Sequence, residues 1–180
     1  MMSMRVGFIG VGLMGHGMAK NLVEKGWPLT ALGHRNRQPV EDLVKRGAKE
    51  ARDVAALVGA SDIVFLCVTG SPEVEDLVYR KGGILECCRS GQTVVDTSTS
   101  QPLSTLKIAA DLKAKGVRFV DAPLTRTPVE AEQGRLNTMV GCDEATFKDI
   151  EPALKAFCEN VFHVAEVGAG HKIKPSARWR

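Results

Sequence analysis

The sequence lacks the features that mark membrane, secreted and nucleic-acid-binding proteins. No apolar run approaches the roughly 20 residues needed to cross a bilayer, and since only residues 1–4 precede the first predicted strand we expect no signal peptide. Basic and acidic residues number 24 and 21, so the net charge of +3 favours neither nucleic acid nor an anionic membrane. We therefore expect a cytoplasmic protein without nucleic-acid or membrane partners.

The sequence also lacks the cysteine patterns of disulfide-rich and zinc-binding domains. Its five cysteines form an odd set with neither C-x-x-C nor Cys/His ligand spacing. We expect reduced thiols and no metal site. A redox pair at the neighbouring Cys87 and Cys88 is the alternative, although no neighbouring feature obviously activates either thiol.

Strand and helix signals alternate along the chain, which is typical of a parallel sheet covered on both faces. Ser71, followed by Pro72, is predicted to cap the fourth helix. The pattern predicts an α/β fold, a doubly wound Rossmann-type dinucleotide-binding domain with a mostly parallel sheet and extra C-terminal strands. The predicted strands are 6–9, 28–32, 63–68, 91–96, 116–121, 136–140 and 161–164, and the predicted helices begin near 13 and cover 38–46, 53–58, 71–78, 101–115 and 144–158.

A glycine-rich turn follows the first strand. Gly10, Gly12 and Gly15 have the G-x-G-x-x-G spacing of a dinucleotide fingerprint between a strand and a helix. The first glycine permits the tight turn, the second lets the backbone approach a pyrophosphate, and the third allows close packing of helix on strand. A purely structural turn is the alternative. The predicted cofactor contacts here are Gly10, Val11, Gly12, Leu13, Met14 and Gly15.

The end of the second strand indicates which dinucleotide binds. An acidic residue about twenty positions after the glycines holds the ribose hydroxyls of NAD, whereas a cation there accommodates the 2′-phosphate of NADP. This chain has His34, Arg35, Asn36 and Arg37, with no acidic residue before Glu41. We predict that these four residues bind NADP, with NAD as the alternative cofactor. Two solvated loop arginines are the competing interpretation.

Four segments, at 7–22, 96–102, 121–141 and 168–174, resemble those of one enzyme family in the same order. They include Gly7-Phe-Ile-Gly-Val-Gly-Leu-Met-Gly, Asp96-Thr-Ser-Thr-Ser-Gln-Pro, Asp121-Ala-Pro and Gly168-Ala-Gly-His-Lys-Ile-Lys. The chain resembles the N-terminal domain of the 3-hydroxyisobutyrate dehydrogenase family of β-hydroxyacid dehydrogenases, relatives of 6-phosphogluconate dehydrogenase. The resemblance implies an NADP-binding domain at 1–167 and the start of an interdomain helix at 168–180.

The resemblance also implies roles for single residues. Cys67, Val68 and Thr69 would line the cofactor site, and Thr99 would lie beside the nicotinamide. Lys174 matches the family's catalytic lysine, which gives a proton to the carbonyl oxygen or takes the hydroxyl proton in the reverse direction. Without the resemblance, Thr99 would be interpreted as one of several helix-capping residues and Lys174 as a surface charge.

One departure from the family concerns the substrate. Much of the family has Ser-Gly-Gly after Asp-Ala-Pro-Val, whereas this chain continues with Leu124, Thr125, Arg126, Thr127 and Pro128. An arginine here resembles the branch that reduces sulfolactaldehyde. We predict that Thr125, Arg126 and Thr127 bind the anionic group of a small aldehyde, such as a semialdehyde or a sulfolactaldehyde-like compound.

A second departure follows Lys174. The family continues into two asparagines on a long helix and then an all-α second domain, but this chain has Pro175 and five further residues. We interpret 168–180 as a truncated or aberrant tail, with a basic interaction tail as the weaker alternative, and expect the all-α domain to be absent. Two hypotheses remain: an NADP-dependent oxidoreductase, or an NADP-binding domain with little or no catalytic activity. A homodimer through the surface left by the missing domain is a further expectation.

Overall fold

The computed structural model describes residues 4–174, which form one sheet with helices on both faces. The strands are β1 Val6–Ile9, β2 Leu29–Leu32, β3 Lys49–Ala51, β4 Ile63–Leu66, β5 Thr93–Asp96, β6 Arg118–Asp121, β7 Leu124–Thr125, β8 Leu136–Gly141 and β9 Cys158–Ala165. The helices are α1 Leu13–Glu24, α2 Gln38–Lys45, α3 Val54–Ala60, α4 Ser71–Tyr79, α5 Ile84–Cys87, α6 Pro102–Lys113, α7 Pro128–Glu132, α8 Glu144–Leu154 and α9 Ala169–Ile173. No helix in this part of the chain is long and apolar enough to span a bilayer.

The order of the strands confirms the predicted fold class. The sheet runs β3-β2-β1-β4-β5-β6-β8-β7, and β9 pairs with β8. All pairs from β3 to β6 are parallel, which is the doubly wound dinucleotide-binding arrangement. β8 is antiparallel to both β6 and β7 but parallel to β9. The order reverses between β1 and β4, so a cleft opens at the carboxyl ends of these two strands.

The central strands are apolar on both faces because helices cover both sides of the sheet. All four residues of β1 and of β4 are buried. On one face Phe65 contacts Phe8 and Phe157, with ring centroids 6.0 and 5.6 Å apart. On the other face the side chains of Leu57 and Leu112 are fully buried. Each such side chain contributes about 1.5–3 kcal/mol to folding, so this core holds the strand ends that form the cleft.

The structure corrects several sequence-based boundaries. The short elements β3, α5, β7 and α7 were not predicted, because elements of two to five residues depend on their tertiary partners. The helix predicted to reach Cys158 ends at Leu154, because Cys158 is the first residue of β9 and pairs there with Leu136 of β8. Gly70 is the N-cap of α4, and Ser71 instead accepts a hydrogen bond from the amide of Gln101 at 2.7 Å.

The domain boundary after residue 167 stays a prediction. Gly168 adopts a positive φ of 92° and is followed by the short helix α9, which packs against β8. The predicted tail extends to residue 180, and its residues 175–180 lie outside the described part of the chain.

Candidate functional site

The three glycines of the first turn have different structural roles. Gly10 has a φ of +97°, and a Cβ atom there would lie 2.1 Å from the carbonyl oxygen of Cys67. A Cβ on Gly15 would lie 1.8 Å from the carbonyl oxygen of Gly10. A Cβ on Gly12, in contrast, would meet no atom within 4 Å. Gly10 and Gly15 therefore allow the loop to pack, whereas Gly12 leaves open space at the start of α1.

Gly12 is also the N-cap of α1 and provides no side chain to cap the helix. The first N–H groups of a helix have no partners inside it and carry a partial positive charge. Together with the open space at Gly12, this gives the cradle that a pyrophosphate requires. The described residues thus fit a dinucleotide at this turn.

A cleft of about 610 Å³ lies beside the glycine loop, within the usual size range of small-molecule sites. Eight of the predicted cofactor residues line it: Gly10, Val11, Gly12, His34, Asn36, Cys67, Val68 and Thr69. Helix α4 and the residue after it also line the cleft, which the sequence interpretation missed: Pro72, Glu73, Asp76, Leu77 and Arg80. The Ser-Pro-Glu helix start, which residues 67–70 separate from the end of β4, was the signal that could have identified these residues, because the chain turns there at the carboxyl end of a central strand.

Of the other predicted cofactor residues, Leu13 is 83% exposed at the start of α1, Met14 is half-buried and Gly15 is buried. Arg35 is exposed and forms no ion pair with any residue in the range 4–174. Arg37 forms a bidentate pair with Glu50, with Nη1–Oε1 and Nη2–Oε2 distances of 2.6 and 2.8 Å. The Arg37 guanidinium holds the pKa of Glu50 below its usual value.

Three residues from separate segments meet near the end of β4. The Nζ atom of Lys174 donates to Oγ1 of Thr99 at 2.6 Å. Burial lowers the pKa of Lys174, while the nearby Cys67 and Asp96 act in the opposite direction. Burial raises the pKa of the Cys67 thiol to about 11, so that the thiol is neutral at physiological pH. The structure therefore brings Cys67, Thr99 and Lys174 together, and their roles in cofactor binding and catalysis stay predictions.

A buried polar network, missed by the sequence interpretation, holds α9 in place. Asp121 accepts hydrogen bonds from the amides of Gly168 and His171 at 2.6 and 2.8 Å. The His171 ring lies 2.7 Å from Oγ1 of Thr105 and 3.0 Å from the carbonyl oxygen of Ser98. Burial raises the pKa of Asp121. This network fixes α9, the helix that precedes Lys174, and thereby positions the Lys174 side chain at the site.

Small residues make room for this network. A Cβ on Gly141 would lie 2.4 Å from Oδ1 of Asp121, and one on Gly170 would lie 2.4 Å from the carbonyl oxygen of Met139. Asp96 and Asp121 are directly paired at the carboxyl ends of β5 and β6. Aspartates that end two neighbouring strands were the available sequence signal for this network.

The predicted substrate residues are already engaged within the protein. Arg126, with a φ of 83°, donates to the carbonyl oxygen of Arg135 at 2.5 Å and to Glu159. Thr127 caps α7 in a capping box with Glu130. Thr125 belongs to β7 and pairs with Asn137. An anion at this place would compete with Glu159 for the Arg126 guanidinium.

All five cysteines are free, and burial raises the pKa of Cys87, which does not favour an activated thiol there. Within residues 4–174 no group of three or more His, Cys, Asp or Glu side chains could hold a metal ion.

A family model described as the NAD binding domain of 6-phosphogluconate dehydrogenase matches residues 5–165. The chain is 37% identical over 172 residues to 2-(hydroxymethyl)glutarate dehydrogenase of Eubacterium barkeri, covering 96% of the chain and 57% of that protein. It is 34% identical over 174 residues to 2-hydroxy-3-oxopropionate reductase of Escherichia coli strain K12, covering 95% and 58%. The chain thus spans less than two thirds of the length of these relatives.

Solved structures show the same partial coverage. Psf3, in complex with NADP+ and 2-OPP, has a TM-score of 0.88 and 32% identity, covering 94% of the chain and 60% of that protein. The 3-hydroxyisobutyrate dehydrogenase of Salmonella typhimurium has a TM-score of 0.88 and 28% identity, covering 96% and 60%.

Proposed function

Because the chain belongs to the family of NAD-binding domains of 6-phosphogluconate dehydrogenase, we propose that it binds NADP and serves an oxidoreductase of the β-hydroxyacid dehydrogenase type. The reaction interconverts a small anionic aldehyde, a semialdehyde or a sulfolactaldehyde-like compound, and its hydroxyacid. The observation that carries the proposal is the contact of Lys174 with Thr99 beside Cys67, a residue of the cofactor cleft. Bound NADPH would supply the hydride in the reduction, and bound NADP+ would accept it in the oxidation.

In this proposal Lys174 handles the proton of the reacting group. It gives a proton to the carbonyl oxygen during reduction and takes the hydroxyl proton during oxidation. The pKa of Lys174 is lowered by burial, which makes its ammonium a better proton donor than a surface lysine. Thr99 orients the amino group by accepting its hydrogen bond.

The remaining site residues bind the negatively charged groups of the cofactor and the substrate. The glycine loop, residues 10–15, holds the pyrophosphate, and Arg35 binds the 2′-phosphate, with His34, Asn36 and Arg37 beside it. Thr125, Arg126 and Thr127 bind the anionic group of the substrate. In this last role the substrate competes with Glu159 for Arg126, and an ion pair with both side chains partly exposed permits such competition.

A second candidate function is NADP binding with little or no turnover. The family model that matches residues 5–165 favours it, since that model describes an NAD binding domain and no reaction. Efficient hydride transfer needs the carbonyl held against the nicotinamide in a shielded site. In both candidates residues 1–167 form the cofactor domain, and the predicted domain boundary lies after residue 167.

Pairing of two chains is proposed as a further property. The expected contact is the surface that faces the second domain in the family, and Leu103 and Leu106, three residues apart on α6 and 82% and 39% exposed, are apolar side chains available for such a contact. Light scattering of the purified chain measures the mass directly, and a monomer at all concentrations would exclude the homodimer.

A titration with NADPH tests the shared part of the proposal. Binding is expected, and its absence at millimolar cofactor would contradict both candidates. NADPH oxidation with succinate semialdehyde, tartronate semialdehyde and sulfolactaldehyde then separates them. Turnover that is lost in Lys174→Ala supports the oxidoreductase, whereas binding without turnover supports the second candidate.

A further inference from the structure

The loop after β2 carries two arginines in very different environments. Arg35 is exposed and has no ion-pair partner within the described residues 4–174. Arg37 has both terminal nitrogens on the two carboxylate oxygens of Glu50, at 2.6 and 2.8 Å. Glu41 lies farther away, 3.9 Å from Nε of Arg37. A bidentate pair fixes the plane of the guanidinium as well as its position, so Glu50 determines where Arg37 points.

The Arg37–Glu50 pair lies at the edge of the cofactor cleft. Gly33 lines the cleft, as do His34 and Asn36 on the same loop. A Cβ atom on Gly33 would lie 2.3 Å from Nη1 of Arg37 and 2.7 Å from Oε1 of Glu50. The ion pair therefore packs directly on a residue of the cleft wall, next to the place where the end of β2 meets the cofactor ribose in this fold.

We propose that Glu50 sets the cofactor preference of this protein by competing with the 2′-phosphate of NADP for Arg37. The inference rests on the proposed cofactor role of this loop. The N–H groups that donate to Glu50 cannot donate to a phosphate at the same time. Arg35 then provides most of the discrimination between NADP and NAD. Arg37 lies at the edge of the cleft but contributes little to NADP affinity while Glu50 holds it.

Glu50 is suited to such a role because it can be changed without disturbing the core. It belongs to the short edge strand β3, and its side chain is 32% exposed, compared with 49% for Arg37. Glutamine at position 50 keeps the shape and one acceptor but removes the negative charge. Glu41→Gln removes the same charge from the other acidic neighbour of Arg37 and is the matched control.

The test measures Kd for NADPH and for NADH at one fixed ionic strength. Glu50→Gln should bind NADPH about threefold to fivefold more tightly, the range expected for freeing one exposed ion-pair partner, and NADH unchanged. Glu41→Gln should change the NADPH affinity much less. The gain should disappear in Glu50→Gln combined with Arg37→Ala, because the freed guanidinium is then missing. Thermal unfolding of each variant confirms that it is folded.

Three results would overturn the inference. They are an unchanged NADPH affinity in folded Glu50→Gln, an equal gain for NADH, and a gain that persists in the Arg37→Ala background. The last would assign the effect to direct repulsion between Glu50 and the phosphate. Failure of the unaltered chain to bind NADPH is a different result, because it contradicts the proposed function itself.

Discussion

The amino group of Lys174 donates a hydrogen bond to Oγ1 of Thr99 at 2.6 Å, although 75 residues separate them in the chain. The contact forms because Asp121 accepts hydrogen bonds from both Gly168 and His171, at the start and in the middle of the last described turn. Two motifs that are unrelated in sequence thereby become one site beside Cys67.

We expect Lys174 to react with amine reagents at lower pH than lysine in an unstructured peptide. Burial lowers its pKa, so the reactive neutral amine is populated earlier as pH rises. Reductive methylation followed by peptide mass spectrometry measures the midpoint. Thr99→Val, which removes an acceptor from the ammonium form, should lower the midpoint further. A midpoint at or above that of the peptide contradicts the buried environment.

Gly12→Ala and Gly15→Ala should separate cofactor binding from folding. A Cβ atom at position 12 would meet no atom within 4 Å, so Gly12→Ala should melt at the same temperature as the unaltered protein. The same variant should no longer bind NADPH. Alanine at 15 would place its Cβ 1.8 Å from the carbonyl oxygen of Gly10, so it should destabilise the fold by about 2 kcal/mol or more. Thermal unfolding and NADPH titration are measured on both. Normal NADPH affinity in Gly12→Ala would contradict the cradle.

Arg35→Ala should weaken NADPH binding by about tenfold, because a hydrogen bond to a charged group is lost. NADH lacks the 2′-phosphate, so its affinity should change little. Fluorescence titration with both cofactors gives the ratio. An equal loss for the two cofactors would exclude the phosphate-binding role.

Asp121→Asn should release α9 and cost about 1–3 kcal/mol of unfolding free energy. Its carboxylate accepts two backbone N–H groups, and an amide can accept only through its single oxygen. Hydrogen exchange at Gly168 and His171 should accelerate, and the methylation midpoint of Lys174 should move toward the peptide value. Asp149→Asn, at an exposed carboxylate paired with Arg118, is the control and should leave both readouts unchanged.

Asp62 makes the free energy of unfolding decrease as the pH becomes acidic. A side-chain hydrogen bond from Arg5 lowers its pKa from 3.8 to about 2. A carboxylate with a lowered pKa in the folded state stabilises it above the unfolded pKa, and the contribution is lost as pH falls through the folded value. Because both side chains are partly exposed, Asp62→Asn should cost about 1 kcal/mol at neutral pH and almost nothing near pH 2. Denaturant unfolding at several pH values measures the difference, and a cost that grows on acidification would reverse the assigned sign.

The elements that could be predicted from the sequence are those whose signal lies within a few neighbouring residues. The apolar strands β1 and β4 and the glycine turn between β1 and α1 carry their signals within a few residues. The family match over residues 5–165 confirms the resemblance drawn from four ordered motifs. The elements β3 and β7, with three and two residues, carry no such signal, because strands this short exist only through pairing with β2 and β8.

The sequence by itself determined the fold class, the glycine loop and the residue types available at the cleft, because burial pattern and backbone freedom are encoded locally. Only the tertiary structure decided which charged side chains are paired within the protein and which are left to bind a ligand. It paired Arg37 with Glu50 and Arg126 with Glu159, left Arg35 exposed, and placed Lys174 against Thr99. These choices depend on distances between atoms far apart in the chain, which follow from packing of the whole sheet and its helices.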